Sequence, residues 1–186
     1  MFLHKNIAGG FVVTVAAACL AACATPDSIT MATPTRGPNL GATPSAALLA
    51  AMDISIPPRG AGLPGGSGTV AQGQKVYDAK CQACHGLKGV GKPADPLVGG
   101  IGSLASGKAM RTVGSYWPYA TTLFDYTRRA MPTTAPMSLT DEEVYAVTAY
   151  VLFLNGVVPE SAVMNAQTLP QVKMPNRDGF IDYSRK

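Results

Sequence analysis

The stretch AKCQACHGLKGVG, residues 79–91, constrains this chain more than any other. It puts Cys81, Cys84 and His85 within five positions, so two of the four cysteines and one of the two histidines share a single turn of backbone. A fold built around it must present two thiols and an imidazole to one object, or keep a reactive thiol pair beside a histidine. The compartment, and the other ligands the chain offers, decide between these.

The N-terminus speaks to the compartment. His4 and Lys5 precede an apolar run over residues 7–22 that ends in LAAC. This is the pattern of a secretory signal peptide with a bacterial lipobox. The run has 16 residues, short of the roughly 20 that span a bilayer as a helix, which is the requirement of the alternative, a permanent transmembrane anchor. The resemblance to lipoprotein signal peptides implies cleavage before Cys23, loss of Cys19 and acylation of Cys23. The expected location is periplasmic, anchored to a membrane through lipidated Cys23. Cys81 and Cys84 are then the remaining thiols, in an oxidising compartment, and His85 is the remaining histidine.

Processing lowers the formal charge from +4 to +3, with 14 basic and 11 acidic residues in 164. Nothing in that balance demands nucleic acid. Residues 24–68 hold seven Pro and seven Gly in 45 positions with four charges, the composition of an extended tether. SAALLAAMDISI interrupts it, either as a short docking helix followed by a strand or as a sticky linker. The expected organisation is a signal peptide over 1–22, a lipidated cysteine and tether over 23–68, a compact domain over 69–157 and a C-terminal extension over 158–186. A domain under 90 residues is usually helped by a metal, a disulfide or a cofactor.

Three helices are expected in the compact domain. Thr69 and Gln72 form a capping box, and Val70, Gly73, Val76 and Tyr77 recur at helical spacing behind it. In WPYATTLFDYTRRAMP, Pro118 suits a first turn, Ala120, Leu123, Phe124 and Met131 share a face interrupted by Thr127, and Pro132 stops the helix. Thr140 and Glu143 form a second capping box, Val144, Val147, Val151 and Leu154 line one side, and Asn155-Gly156 closes the helix. The connecting segments, rich in Gly and Pro, show no strand pattern, so the fold class is all-α.

Outside the cytoplasm, Cys-x-x-Cys-His is the attachment pattern of c-type haem. Two cysteines three apart on a tight turn each reach one vinyl group of the same porphyrin, and the next residue offers its imidazole to the iron. A thioredoxin-like pair wants a βαβ setting and no histidine; a structural zinc site wants four ligands and would have to recruit a carboxylate. The expected cofactor is one covalent haem c on Cys81, Cys84 and His85. Its second axial face falls to a methionine, because no other histidine survives processing. Met31 and Met52 lie in the tether, Met164 and Met174 in the tail, and Met110 only 25 residues past His85. Met131, 46 residues past His85 at a helix end, is the expected ligand, with Met137 second.

CQACHG, AMP and SLTDEEVYAVTAY, together with the three helices, resemble a class I cytochrome c. The resemblance implies a small helical domain around one haem, with Gly73 and Tyr77 crossing Tyr150 and the backbone carbonyl of Pro96 binding the outer nitrogen of His85. A longer resemblance, over about residues 53–183, rests on ISIPPRGAGLPGGSGTV, VGSYWPYATTLFDYTRRAMP and LPQVKMPNRDGF. These are similar to the cytochrome subunit of bacterial sulfane or sulfite dehydrogenases, which implies electron transfer from a molybdenum-containing partner dehydrogenase. Well-known members of that subunit family carry a second haem domain, whereas this chain has one Cys-x-x-Cys-His.

With His85 and Met131 both bound to iron, no position is open to substrate. The expectation is therefore an electron-transfer protein, not an enzyme, passing single electrons between redox partners, from such a dehydrogenase to a downstream respiratory acceptor. Lys80, Lys88 and Lys92 surround the motif in sequence, either to steer a partner or as a solvated surface. Trp117 packs on the haem, reaches a propionate or fills the core. Two other classes stay open: a haem sensor or peroxidase-like enzyme with a vacant sixth position, and an assembly subunit whose tail docks a catalytic partner.

Overall fold

A computed structural model describes residues 41–181 and 184. The signal peptide, Cys23 and Met31 lie outside the described residues. The chain divides into two units, Met1–Ser45 and Ala46–Lys186, and the second carries the elements below. In chain order these are α1 (Ala46–Met52), β1 (Ser67–Thr69), α2 (Val70–Lys80), α3 (Gln82–His85), α4 (Ala120–Ala130), α5 (Asp141–Leu154) and β2 (Val163–Asn165), with 3-10 turns at Leu87–Gly89 and Leu169–Gln171.

Both capping boxes form. The Thr69 side chain accepts from the Gln72 N–H while the Gln72 side chain accepts from the Thr69 N–H, and Thr140 and Glu143 do the same at α5. Each box satisfies backbone donors that the first turn leaves without partners. α4 has no such cap. Its N-cap is Tyr119, so Pro118 stands one position before the cap and not inside the first turn. Pro132 does stop it, leaving Met131 as an extended C-cap whose N–H donates to the Thr127 carbonyl at 3.1 Å. α5 is more deeply buried than a one-sided stripe requires, since every residue from Val144 to Leu152 is buried.

The crossing of α2 and α5 is the main helix contact. It depends on Gly73, where an added Cβ would overlap the Ala146 carbonyl and come within 2.8 Å of Tyr150 Cβ. Tyr77 and Tyr150 then meet with ring centroids 5.4 Å apart, as the family resemblance implies. α4 completes the core with Phe124 against Tyr145, centroids 4.5 Å apart.

The all-helical expectation needs one small amendment. β1 and β2 pair antiparallel, Gly68 opposite Met164. At three residues each they are too short to show alternation, and Gly68 allows β1 to lie directly on Ala146 of α5.

The expected boundaries at 68/69 and 157/158 also need correction, because the core extends past both. Ile56 is buried, the Tyr145 hydroxyl donates to the Pro64 carbonyl at 2.8 Å, and Thr121 Oγ1 donates to the Pro58 carbonyl at 3.1 Å. The tether composition therefore gives way to packed chain well before Thr69. In the tail, Met164, Leu169 and Met174 are buried, which corrects the placing of Met164 and Met174 outside the compact domain. Met164 lies in the three-residue β2, and Leu169 and Met174 stand among Pro and polar neighbours without the periodicity that marks an element. α1 forms, with all of its residues exposed, and residues 53–56 after it form no strand.

Candidate haem site

The motif sits where α2 ends. Cys81 caps α2 by donating its N–H to the Tyr77 carbonyl at 2.9 Å, and its own carbonyl accepts from the N–H groups of Cys84 (3.2 Å) and His85 (3.0 Å). The two thiols and the imidazole are thereby fixed on one turn. Gly86 reverses the chain at φ 74°, and a Cβ there would overlap the Gly91 carbonyl, so the position requires glycine. Tyr77 reaches past the turn to donate its hydroxyl to the Gly86 carbonyl at 2.8 Å.

The loop that follows folds back onto the turn. Gly91 N–H donates to the His85 carbonyl (2.8 Å) and Ala94 N–H to the Cys84 carbonyl (2.9 Å). This brings the Asp95 carbonyl to 3.2 Å from His85 Nδ1. A carbonyl only accepts, so the contact selects the tautomer with its proton on Nδ1 and leaves the Nε2 lone pair for a metal. The partner is thus the peptide just before Pro96, not the Pro96 carbonyl, because the two loop hydrogen bonds set the register one residue earlier. Asn155, at the end of α5, donates through Nδ2 to the Leu97 carbonyl at 3.1 Å and ties this loop to the core. As a helix-closing residue it carried no sign of that reach.

Cys81 is partly buried, and burial pushes its thiol up to about 11, against a smaller opposing effect of Lys80. Cys84 is exposed, and neither cysteine is in a disulfide. Two thiols and an imidazole with one free nitrogen on one turn are the donor set that covalent haem needs, so the residues fit that group.

Met131 stands on another element. It is partly buried, whereas Met52 and Met137 are 73% and 66% exposed and Met164 and Met174 are buried in the core. Among the lysines, Lys80 pairs with Glu143 Oε1 at 2.6 Å, linking the end of α2 to the start of α5, while Lys88 and Lys92 are exposed. Arg128 bridges to Asp141 Oδ1 at 3.0 Å, closing the base of the loop that Met131 opens. Trp117 meets Tyr126 edge-on at 5.7 Å and packs against the core.

The profile of the cytochrome c family matches residues 70–155. Among solved structures, the chain is similar to a chain of the sulfane dehydrogenase SoxCD from Paracoccus pantotrophus, with 37% identity and a TM-score of 0.74, over 79% of this chain and 73% of that one. The chain belongs to the cytochrome c family. A search of the curated proteins gave no match. Like other cytochromes c, this one binds covalently attached haem c and carries electrons. The matched region runs from the first residue of α2 to Asn155, the residue that ties down the loop after the motif.

Proposed function

We propose that this cytochrome c is a lipid-anchored periplasmic carrier of single electrons, receiving them from a molybdenum-containing sulfur-compound (sulfite or sulfane) dehydrogenase and delivering them to a respiratory acceptor. The observation that carries the haem part is the turn 81–85, with both thiols free and the imidazole locked by the Asp95 carbonyl. The similarity to a chain of sulfane dehydrogenase SoxCD supports the donor.

In this reading Cys81 and Cys84 would hold the porphyrin covalently, and His85 Nε2 and the Met131 sulfur would bind its iron. Haem c supplies a one-electron couple at that position. The residues would fix its environment: the Asp95 carbonyl orients His85, Met131 would offer a neutral sulfur that favours the reduced state, and two protein ligands would leave the iron to electron transfer. Lys88 and Lys92 steer partners by charge.

Met131→Ala is expected to remove the weak far-red sulfur-to-iron charge-transfer band, lower the reduction potential and let carbon monoxide bind the reduced protein, while Met137→Ala leaves all three near wild type. The opposite pattern would move the ligand to Met137. Rapid carbon monoxide binding by the wild type would favour a sensor or enzyme. For the anchor, Cys23→Ser is expected to release the processed protein from membranes with its haem in place, since stable anchoring takes more than one acyl chain. Full membrane retention after cleavage would refute it.

A further inference from the structure

A neutral thioether is a weak ligand, and it stays on a metal only while the backbone holds it there. What holds the backbone behind Met131 lies partly outside the region that matches the cytochrome c family. Asp125, six residues before Met131 on α4, is buried. Its Oδ1 accepts from the Ile56 N–H at 2.8 Å and from Arg129 Nε at 3.0 Å, and its Oδ2 accepts from a second Arg129 nitrogen. One turn earlier, Thr121 donates to the Pro58 carbonyl. Segment 54–58 is thus fastened along α4, with Ile56 driven into the core. The same segment reaches the far end of the methionine loop, because Ile54 lines a cavity with Arg128, Met137, Leu139, Thr140 and Asp141.

We propose that Asp125 is a positioning residue for Met131, acting by clamping segment 54–58 across α4 so that the loop 131–140 opens rarely. The proposal rests on the reading of Met131 as axial ligand. An external base binds the iron only in the open state, so its apparent affinity scales with the open fraction. Cutting the clamp releases hydrogen bonds to a buried charge, which are among the stronger ones in a protein, and raises that fraction without touching haem attachment.

The test is imidazole binding to the full-length, haem-loaded protein, with urea midpoints measured alongside. Val70→Ala, a buried change on α2, serves as a control for general destabilisation. Asp125→Ala is expected to bind imidazole about tenfold more tightly than wild type, with Val70→Ala within about twofold at a similar loss of urea midpoint. Asp125→Asn, which keeps an acceptor for the Ile56 N–H, is expected to fall between. If Asp125→Ala does not fold, Thr121→Val gives the milder cut, with an increase of about threefold expected. Equal affinities in the clamp variants and Val70→Ala, or no change in the clamp variants, would overturn the proposal. Met131→Ala separates the two readings: unchanged imidazole affinity there sinks the ligand assignment itself, whereas tighter binding there with none in the clamp variants sinks only the clamp.

Discussion

At the residue scale, three glycines determine whether the haem turn can exist where it does. Gly86 turns the chain with a positive φ, and Gly73 and Gly68 let α2 and β1 lie directly on Ala146. Gly73 is the most informative to change. Its missing side chain is replaced by backbone and by Tyr150 Cβ, neither of which can swing aside. Gly73→Ala is expected to cost about 3 kcal/mol or more, at the upper end of overpacking effects, and to weaken the Tyr77–Tyr150 contact. Urea denaturation of the haem-loaded variant measures it; a loss below about 1 kcal/mol would mean the crossing is softer than its geometry.

At the element scale, helices are joined by charges near their ends. Glu143 serves twice, as the reciprocal member of the α5 capping box and as the partner of Lys80 at the end of α2. The Lys80 hydrogen bond, with help from the Thr140 N–H, holds its carboxyl below the usual range against the opposing effect of burial. A lowered folded pKa contributes stability above the ordinary glutamate value, and that contribution is lost as pH falls through the lower folded value. Glu143→Gln keeps a capping-box side chain and removes the ion pair. At neutral pH it is expected to lose no more than about 1 kcal/mol, since the pair is partly solvated. The difference in urea midpoint should vanish once the pH is well below the carboxylate range. A difference that persists there would assign the effect to the cap.

At the scale of the whole molecule, the cytochrome c region is one part of a larger packed body. Met164, Leu169 and Met174 all bury their side chains in the core. Further along, the tail lies on the chain before α4: Asn176 Nδ2 donates to the Tyr116 carbonyl at 2.7 Å and Arg177 stacks over Tyr119 at 4.3 Å. At roughly 1.5–3 kcal/mol for each buried apolar side chain, three of them rival the total stability of a small domain. A chain ending at residue 158 is expected to keep its haem covalently but to unfold without cooperativity. Near-ultraviolet circular dichroism through a thermal scan checks this. A sharp transition at the full-length midpoint would show that the tail is a detachable appendage.

The local features were legible in the order of the residues alone. The five-residue motif, both capping boxes, the stop at Pro132 and the closure at Asn155-Gly156 depend on neighbours within a turn or two, and the spacing of residues records such neighbours directly. The crossing at Gly73 was implied by the resemblance to class I cytochromes c, since spacing marks it only as one position on a helical face. Tertiary structure alone decided which carbonyl orients His85, that Asn155 reaches Leu97, that Asp125 grips Ile56, and where the packed body begins and ends. These contacts join residues between 10 and 69 positions apart, each through a single polar side chain. Burial of one such side chain leaves no period to read, because its partner is chosen by how the helices cross and not by the residues beside it.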